Sequence, residues 1–303
     1  MFTLWKKSKQ KRVDHDRSEQ KVEQNTTEQE QYRAPEYDVV VSLQTDPGCL
    51  RETNEDQIFL HRPDDPALLK KKGVLVIVAD GMGGHSAGEV ASGMAIEIIN
   101  RVYFDDANDP SSALKTALQE ANSQIHKASL AQEGLKGMGT TCTALVLQNG
   151  SAIAAHVGDS RLYLVRGGQI YLMTEDHSEV MEMVKHGLIT LEEARHHPDK
   201  NVILRAIGSH AEVQVSTWAE PFPTREGDRF LLCSDGLYDL VEDDEIKRAV
   251  EQAKPAAACE SLIALAKQRG GHDNISVAVV SLVPPSESQS KPVPETRELE
   301  AVI

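Results

Sequence analysis

Between residues 37 and 283 the chain alternates short apolar runs with longer stretches whose apolar positions recur every three or four residues. Residues 37–44 (YDVVVSLQ) and 56–61 (DQIFLH) read as strands that bracket a polar loop over 51–55. Gly73 to Asp80 is nearly all apolar and too short for a helix, hence a buried strand. Directly after it Ser86 and Glu89 have capping-box spacing, and Val90, Met94, Ile98 and Val102 recur every four residues, so a helix starts there. A second helix follows Pro110, with Leu114, Leu118, Ile125 and Leu130 as its core stripe. Thr141–Leu147, Ala152–Val157 and Leu162–Val165 are strands separated by the turn signals Asn149-Gly150 and Gly158-Asp159, which predicts an antiparallel meander. Residues 177–210 interrupt the strands with short helical pieces, one opened by a capping box at Thr190 and Glu193.

Both ends change character. Residues 1–36 are polar, rich in Gln, Glu and Lys, and lack an apolar face, while residues 285–303 follow Pro284 and carry Pro285, Pro292 and Pro294 among Ser and Glu. Both read as disordered tails flanking one domain over 37–284. The formal net charge of −15 falls almost wholly on that domain, which argues against nucleic acid as the main partner. Cys49, Cys142, Cys233 and Cys259 are too scattered for a zinc or redox motif and read as reduced thiols of a cytoplasmic protein, with Cys142 and Cys233 on buried strands. No run approaches 18 apolar residues, so no transmembrane segment is expected. The N-terminus reads as a solvated tail; Phe2, Leu4 and Trp5 beside Lys6, Lys7, Lys9, Lys11 and Arg12 leave a weak interfacial anchor as the alternative.

Candidate chemistry sits at the strand ends. VLVIVAD ends at Asp80, AIAAHVGD at Asp159 and RFLLCSD at Asp235, and the Asp273-Asn274 pair opens NISVAVV. Taken singly, an Asp next to Gly after a strand is an ordinary turn former or helix cap. Taken together, four such residues can converge on one rim of a rigid core. Two carboxylates about 4 Å apart repel by roughly 4 kcal/mol at an effective dielectric near 20, so a cluster requires protons or a cation. Oxygen-only ligation favours Mg²⁺ or Mn²⁺ over zinc or copper. The glycines around each Asp leave room for an ion and its waters.

In order, RETNED (51–56), ADGMGGHSAGEVAS (79–92), MGTTCTALVL (138–147), HVGDSRLYLVR (156–166), DHS (176–178), LLCSDGLYDLV (231–241) and GGHDNISVAVV (270–280) resemble the PPM, or PP2C-type, metal-dependent protein serine/threonine phosphatases. The resemblance covers about residues 37–283. It implies an α+β fold, a four-layer αββα sandwich of two antiparallel sheets flanked by helices, with a binuclear centre of Mn²⁺ or Mg²⁺ at one end. It further implies that Asp80 bridges both ions, that Gly81 offers its carbonyl, and that Asp235 and Asp273 hold the first ion. Glu55 matches the acidic position of the second ion and Asp56 supports the ligand water shell. Asp159 falls at a weaker third metal, Arg51 at the phosphate-binding arginine and Asn274 at a polar supporting position. Met82 stands where eukaryotic members place a histidine, as in the bacterial branch, and a thioether cannot donate a proton. His85 is then a candidate general acid, although a helix start is its plainer role and a metal-bound water the favoured acid. Residues 177–210 resemble the flap subdomain of bacterial members, which lies beside the active site and influences substrate choice. The His196-His197 pair within it reads as a surface pair.

Hydrolysis of a phosphomonoester is then expected by in-line attack of a metal-bridging hydroxide, with Arg51 gripping two phosphoryl oxygens through its planar fork. No phosphoenzyme is expected, since Ser86, Ser160 and Ser234 lack an evident base partner. The expected partners are phosphoserine and phosphothreonine proteins, among them a Ser/Thr kinase or its substrates, met by a monomer. Three rival readings stand beside this one. A catalytically dead member would have lost a ligand position, and none is missing. A member acting on a phosphorylated anti-sigma-factor antagonist differs only in partner. A Ca²⁺-stabilised scaffold is disfavoured by Arg51 and by the missing calcium-loop pattern.

Overall fold

The apolar runs pair into two stacked antiparallel sheets with helices on the outer face of each. The computed structural model describes residues 37–83 and 87–285. The two polar ends, apart from Pro285, and the segment 84–86, with His85 and the capping Ser86, lie outside the described residues. Along the chain the elements are β1 (Asp38–Asp46), β2 (Gln57–His61), α1 (Pro66–Lys72), β3 (Val74–Ala79), β4 (Gly81–Met82), α2 (Ala87–Asp105) and α3 (Pro110–Ala131). Then come β5 (Gly139–Thr140), β6 (Cys142–Gln148), β7 (Ser151–Val157), β8 (Arg161–Arg166), β9 (Gln169–Leu172), α4 (Glu179–Lys185) and α5 (Leu191–Arg195). The last third holds β10 (Ser216–Thr217), β11 (Phe222–Pro223), β12 (Arg229–Cys233), α6 (Asp235–Tyr238), α7 (Asp243–Gln252), α8 (Pro255–Gln268) and β13 (Ile275–Val283).

One sheet runs β1-β13-β12-β8-β9 and the other β10-β7-β6-β3-β2, with β11 also pairing β7. The two-residue alternation of a strand divides the core into three apolar layers. Val76, Val78, Leu145 and Leu147 from one sheet meet Leu162, Leu164, Phe230, Leu232 and Val280 from the other. Leu75 and Ile77 point the opposite way, into α2 and α3 through Ala91, Ile99, Leu114 and Leu118. On the far side Leu231, Cys233 and Val277 meet Ile246, Val250, Leu262 and Ile263 of α7 and α8. That is the four-layer αββα order expected from the sequence.

Local chemistry sets the helix starts. Asp65 and Asp109 accept from the first backbone N–H groups of α1 and α3, each with proline in the first turn. The box at Thr190 and Glu193 forms as expected, each side chain bonding the other residue's backbone N–H. Two expectations are corrected. The strands over 141–165 are not one meander: β7 pairs with β6, whereas β8 pairs with β12 and β9 in the other sheet. The step between sheets occurs at Gly158, whose φ of +109° turns the chain out of its strand. Leu130 is not core but 75% exposed, because α3 ends one residue later, beyond the edge of the layer it covers.

Leu145 is fully buried between the sheets. Leu145→Ala should lower stability by about 2–5 kcal/mol, read from guanidinium titration. Leu130→Ala on the exposed end of α3 should change it by no more than about 0.5 kcal/mol. Equal effects would contradict the layer assignment.

Candidate active site

Strand register carries the candidate residues that the structure describes to one end of the sandwich. Gln57 at the start of β2 lies opposite Ala79 at the end of β3, and Cys142 at the start of β6 lies opposite Val157 at the end of β7. In the other sheet Cys233 at the end of β12 faces Arg161 at the start of β8, and Ile275 faces Asp46 at the end of β1. The loop 47–56, Asp80, Asp159, Asp235 and Asp273-Asn274 are therefore the ends of neighbouring strands. The structure brings all the candidates together except His85, which lies outside the described residues.

Backbone hydrogen bonds fix the rim. The Asp80 N–H donates to Thr141 Oγ1 (2.9 Å), while the Asp80 carbonyl accepts from Thr141 N (2.8 Å) and Thr140 Oγ1 (2.9 Å). Gly81 has no room for a side chain: a Cβ there would meet the carbonyls of Gly88 at 2.2 Å and Glu55 at 2.5 Å. Glu55 lies against Gly88 in the first turn of α2, whose backbone N–H it accepts. Ser92 of α2 donates to the Glu55 carbonyl (2.6 Å). Asn274 clamps the same loop, accepting the Glu55 N–H (2.8 Å) and donating to the carbonyls of Pro47 (3.1 Å) and Thr53 (2.9 Å). Arg51 reaches across to Asp273, Nη2 to Oδ2 at 2.8 Å, with half of its side chain exposed.

The carboxylates oppose one another. Burial, with Asp56, Asp235 and Asp159 as neighbours, pushes Asp80 well above the usual carboxylate range. Burial and the charges of Asp159 and Asp239 do the same to Asp235. Asp56 is pushed up to about 6 by burial, against the hydrogen bonds it receives, and Asp159 to about 7 by burial and by Asp176. Glu55 rises too, chiefly by burial. Glu55 Oε1, Asp56 Oδ1 and Asp159 Oδ1 are buried without a hydrogen-bond partner in the protein. Such atoms are costly unless something charged meets them. Among the described residues no group of three or more His, Cys, Asp or Glu side chains closes into a ready-made metal cage. Asp273 pairs with Arg51 while its charge still acts on Asp80 and Asp235. In its chemistry the donor set still fits a hard divalent cation: it is all oxygen, mutually repelling, and three of its oxygens are orphaned.

Several supporting residues were not legible in the sequence. Thr140 and Thr141 hold Asp80, a role that only the pairing of β4 with β5 reveals. Ser234 donates to Asp56 Oδ2 (2.8 Å), which corrects the expectation that it has no base partner. It is nonetheless fully buried and also accepts the Ser276 N–H (3.0 Å), so it is no nucleophile. Ser160 is likewise fully buried, with its hydroxyl 2.7 Å from that of Thr141. Arg161 packs locally, in a bidentate pair with Asp176 and over the Tyr238 ring at 3.7 Å. Beside Asp159, the insert 177–210 and the core enclose a cavity of about 220 Å³ lined by Arg161, Asp176, Arg195, Lys200 and Tyr238. Lys200 pairs with Asp239 there, and Arg195 bonds the Tyr238 carbonyl (3.0 Å) and Glu242 (2.9 Å). Of the pair read as lying on the surface, His196 does so, beside Glu192, whereas His197 is half-buried and its Nδ1 accepts the Asp199 N–H (3.2 Å).

Comparison with known proteins agrees with this arrangement. The model of the family described as Protein phosphatase 2C matches residues 53–268. The chain is 38% identical over 246 residues to the serine/threonine phosphatase stp of Listeria welshimeri, covering 78% of this chain and 94% of that protein. Among solved structures, the Mycobacterium tuberculosis serine/threonine phosphatase PstP/Ppp superposes with a TM-score of 0.72 at 38% identity, over 81% of this chain and 99% of that one. The catalytic domain of PstP in complex with two manganese ions gives 0.68 at 36% identity, over 81% and 98%. With the family model matching most of the chain and a relative 38% identical over 246 residues, the chain belongs to the protein phosphatase 2C family.

Proposed function

We propose that this protein is a metal-dependent protein serine/threonine phosphatase that hydrolyses phosphoserine and phosphothreonine without a phosphoenzyme. The observation that carries the reading is the convergence of Glu55, Asp56, Asp80, Asp159, Asp235 and Asp273 from separate loops onto one rim, with buried oxygens left unpartnered. Asp80, Asp235 and Asp273, with Glu55 and the Gly81 carbonyl, would hold two manganese or magnesium ions, and Asp159 a weaker third. When bound, the ions supply Lewis acidity toward water and neutralise charge on the phosphoryl oxygens.

The chain's own residues do the rest. Arg51 presents a half-exposed planar fork to the phosphoryl group while Asp273 holds one of its nitrogens. Asn274 fixes the loop that carries both Arg51 and Glu55. Ser234 orients Asp56 by donating to one of its oxygens, leaving the other toward the rim. Neither Ser160 nor Ser234 is placed to attack phosphorus, which supports direct hydrolysis over covalent catalysis. Phosphoproteins are the substrates this reading implies, a Ser/Thr kinase or its targets among them. No helix among the described residues is long and apolar enough to cross a membrane; we place the enzyme in the cytoplasm and expect a monomer.

Hydrolysis of p-nitrophenyl phosphate and of a phosphothreonine peptide should require Mn²⁺ or Mg²⁺, and chelation should abolish it. Asp80→Asn, Asp235→Asn and Asp273→Asn should each reduce turnover to below about a tenth of wild type, since each removes a charged ligand. In the cation-free protein Asp235→Asn should instead raise the melting temperature by a few degrees, because it relieves repulsion at the rim. Activity retained together with an unchanged melting temperature would remove Asp235 from the cluster.

Arg51→Ala should lower kcat/KM toward the peptide by about 10- to 150-fold, the equivalent of the roughly 1.5–3 kcal/mol carried by a hydrogen bond to a charged group. Arg51→Lys should recover little of it, since an ammonium lacks the bidentate fork. Full recovery by lysine would reduce the role of Arg51 to simple charge.

A further inference from the structure

Asp159 is nearly fully buried and one of its oxygens has no partner, yet it sits on a turn that its own residues do not define. Gly158 precedes it with φ +109°, a region open to glycine where many neighbouring conformations are accessible. What selects one of them comes from the start of the insert. The His177 N–H donates to the Gly158 carbonyl (2.8 Å), and the Gly158 N–H donates to His177 Nδ1 (3.1 Å). One histidine thus binds both backbone polar groups of the residue that aims Asp159.

The same residue is anchored in three further directions, two by its ring and one by its backbone carbonyl. Because Nδ1 accepts a backbone N–H, the neutral ring carries its proton on Nε2, which donates to Ser216 Oγ on β10 (2.9 Å). The His177 carbonyl accepts the Leu204 N–H (2.7 Å), which closes the far end of the insert onto its beginning. Its ring lies 4.9 Å from that of His156 on β7. His177 is 4% exposed, cannot reach substrate, and takes no part in the chemistry set out above.

We infer that His177 is a positioning residue that locks the Gly158 peptide, and so directs the Asp159 carboxylate toward the third cation position and ties its aim to the seating of the 177–210 insert. This role presupposes that Asp159 takes that third cation. The carboxylate fits it: Asp159 Oδ1 is buried and unpartnered, and its near neighbours include the acidic Asp176 and Asp235.

The two hydrogen bonds of the ring can be removed separately. His177→Asn places an amide oxygen where Nδ1 stands and keeps the acceptor for Gly158, whereas His177→Gln reaches toward Ser216 and leaves Gly158 without it. Ser216→Ala removes the other bond and spares the Gly158 contact. The full-length protein and its variants are compared by calorimetric titration with Mn²⁺, by amide hydrogen exchange at Gly158 in cation-free protein, and by kcat and KM on a phosphothreonine peptide. For His177→Gln, the Gly158 amide should exchange about tenfold faster, as expected for loss of one hydrogen bond. Its weakest Mn²⁺ binding event should disappear while the two tight ones remain, and kcat should fall with KM nearly unchanged, as for Asp159→Asn. His177→Asn should stay close to wild type in all three readouts, and Ser216→Ala should lose melting temperature but keep the third Mn²⁺ event.

A His177→Gln protein with the third event intact overturns the inference. So does loss of that event in Ser216→Ala to the same degree, since general destabilisation would then be the cause; this comparison also decides the matter if His177→Gln fails to fold. If Asp159→Asn itself leaves both the third event and kcat unchanged, the assignment of Asp159 fails and the positioning role goes with it. Failure in His177→Gln with Asp159→Asn behaving as expected counts against His177 alone.

Discussion

Mutual repulsion among carboxylates at one end of the sandwich is the constraint on which the rest of this structure depends. Burial pushes Asp80, Asp235, Asp56 and Asp159 upward, and neighbouring acids add to it, Asp56 and Asp235 on Asp80, Asp159 and Asp239 on Asp235, Asp273 on Asp56 and Asp176 on Asp159, so the rim is destabilising as it stands. A flexible scaffold would relieve that strain by moving the side chains apart. Here it cannot, because each Asp lies at or within two residues of the end of a strand, Asp56 just before β2 and the others just after theirs, and the registers are set by apolar layers. Sliding a strand such as β3 by one residue would exchange the side chains of its two apolar layers, inter-sheet for sheet–helix, and break the packing of both. The inter-sheet layer formed by Val78, Leu145, Phe230 and Val280 thus holds the charges together against their repulsion, and stability is given up at the rim for affinity toward cations.

The same division explains what was legible in the sequence. Period-two alternation and runs such as VLVIVA carry their own signal, so the strands and their Asp ends can be read locally, and the ordered motifs around them carry the αββα order and the candidate ligands. What stayed hidden depends on pairing across long separations. Nothing near Leu162 tells that β8 leaves the sheet of β7, because both strands are equally apolar and only the positive φ at Gly158 separates them. Ser234 and Asp56 are 178 residues apart, and Asn274 and Glu55 are 219 apart; neither contact has a local signature. Leu130 misled for the opposite reason: it continues the helical stripe, but the helix runs out of partner.

Hydroxyl and amide side chains, more than charges, turn these distant pairings into a rim of fixed geometry. Thr141 and Thr140 hold the peptide of Asp80, Asn274 that of Glu55, Ser92 the Glu55 carbonyl, and His177 that of Gly158. Each is neutral, so it fixes a carboxylate's position without neutralising it. An arginine or lysine in the same place would have satisfied the aspartates and removed their need for a cation. The basic residues near the site follow this rule, since Arg161 is committed to Asp176 and Lys200 to Asp239, beside the cluster and not within it.

Arg51 is the exception, and its placement shows why one exception is useful. Its guanidinium touches Asp273, the acidic residue at the outer edge of the rim, through a single nitrogen at 2.8 Å, with about half of its side chain open to solvent. A planar group with five N–H donors can keep that contact and still offer two parallel bonds to an incoming phosphoryl group. Asp273 therefore restrains the fork's orientation before substrate arrives, so less side-chain entropy is lost on binding. The guanidinium and the buried carboxylates then favour the same ligand from opposite sides: the acids need a cation, a cation attracts phosphate, and the fork meets the phosphate oxygens that face outward.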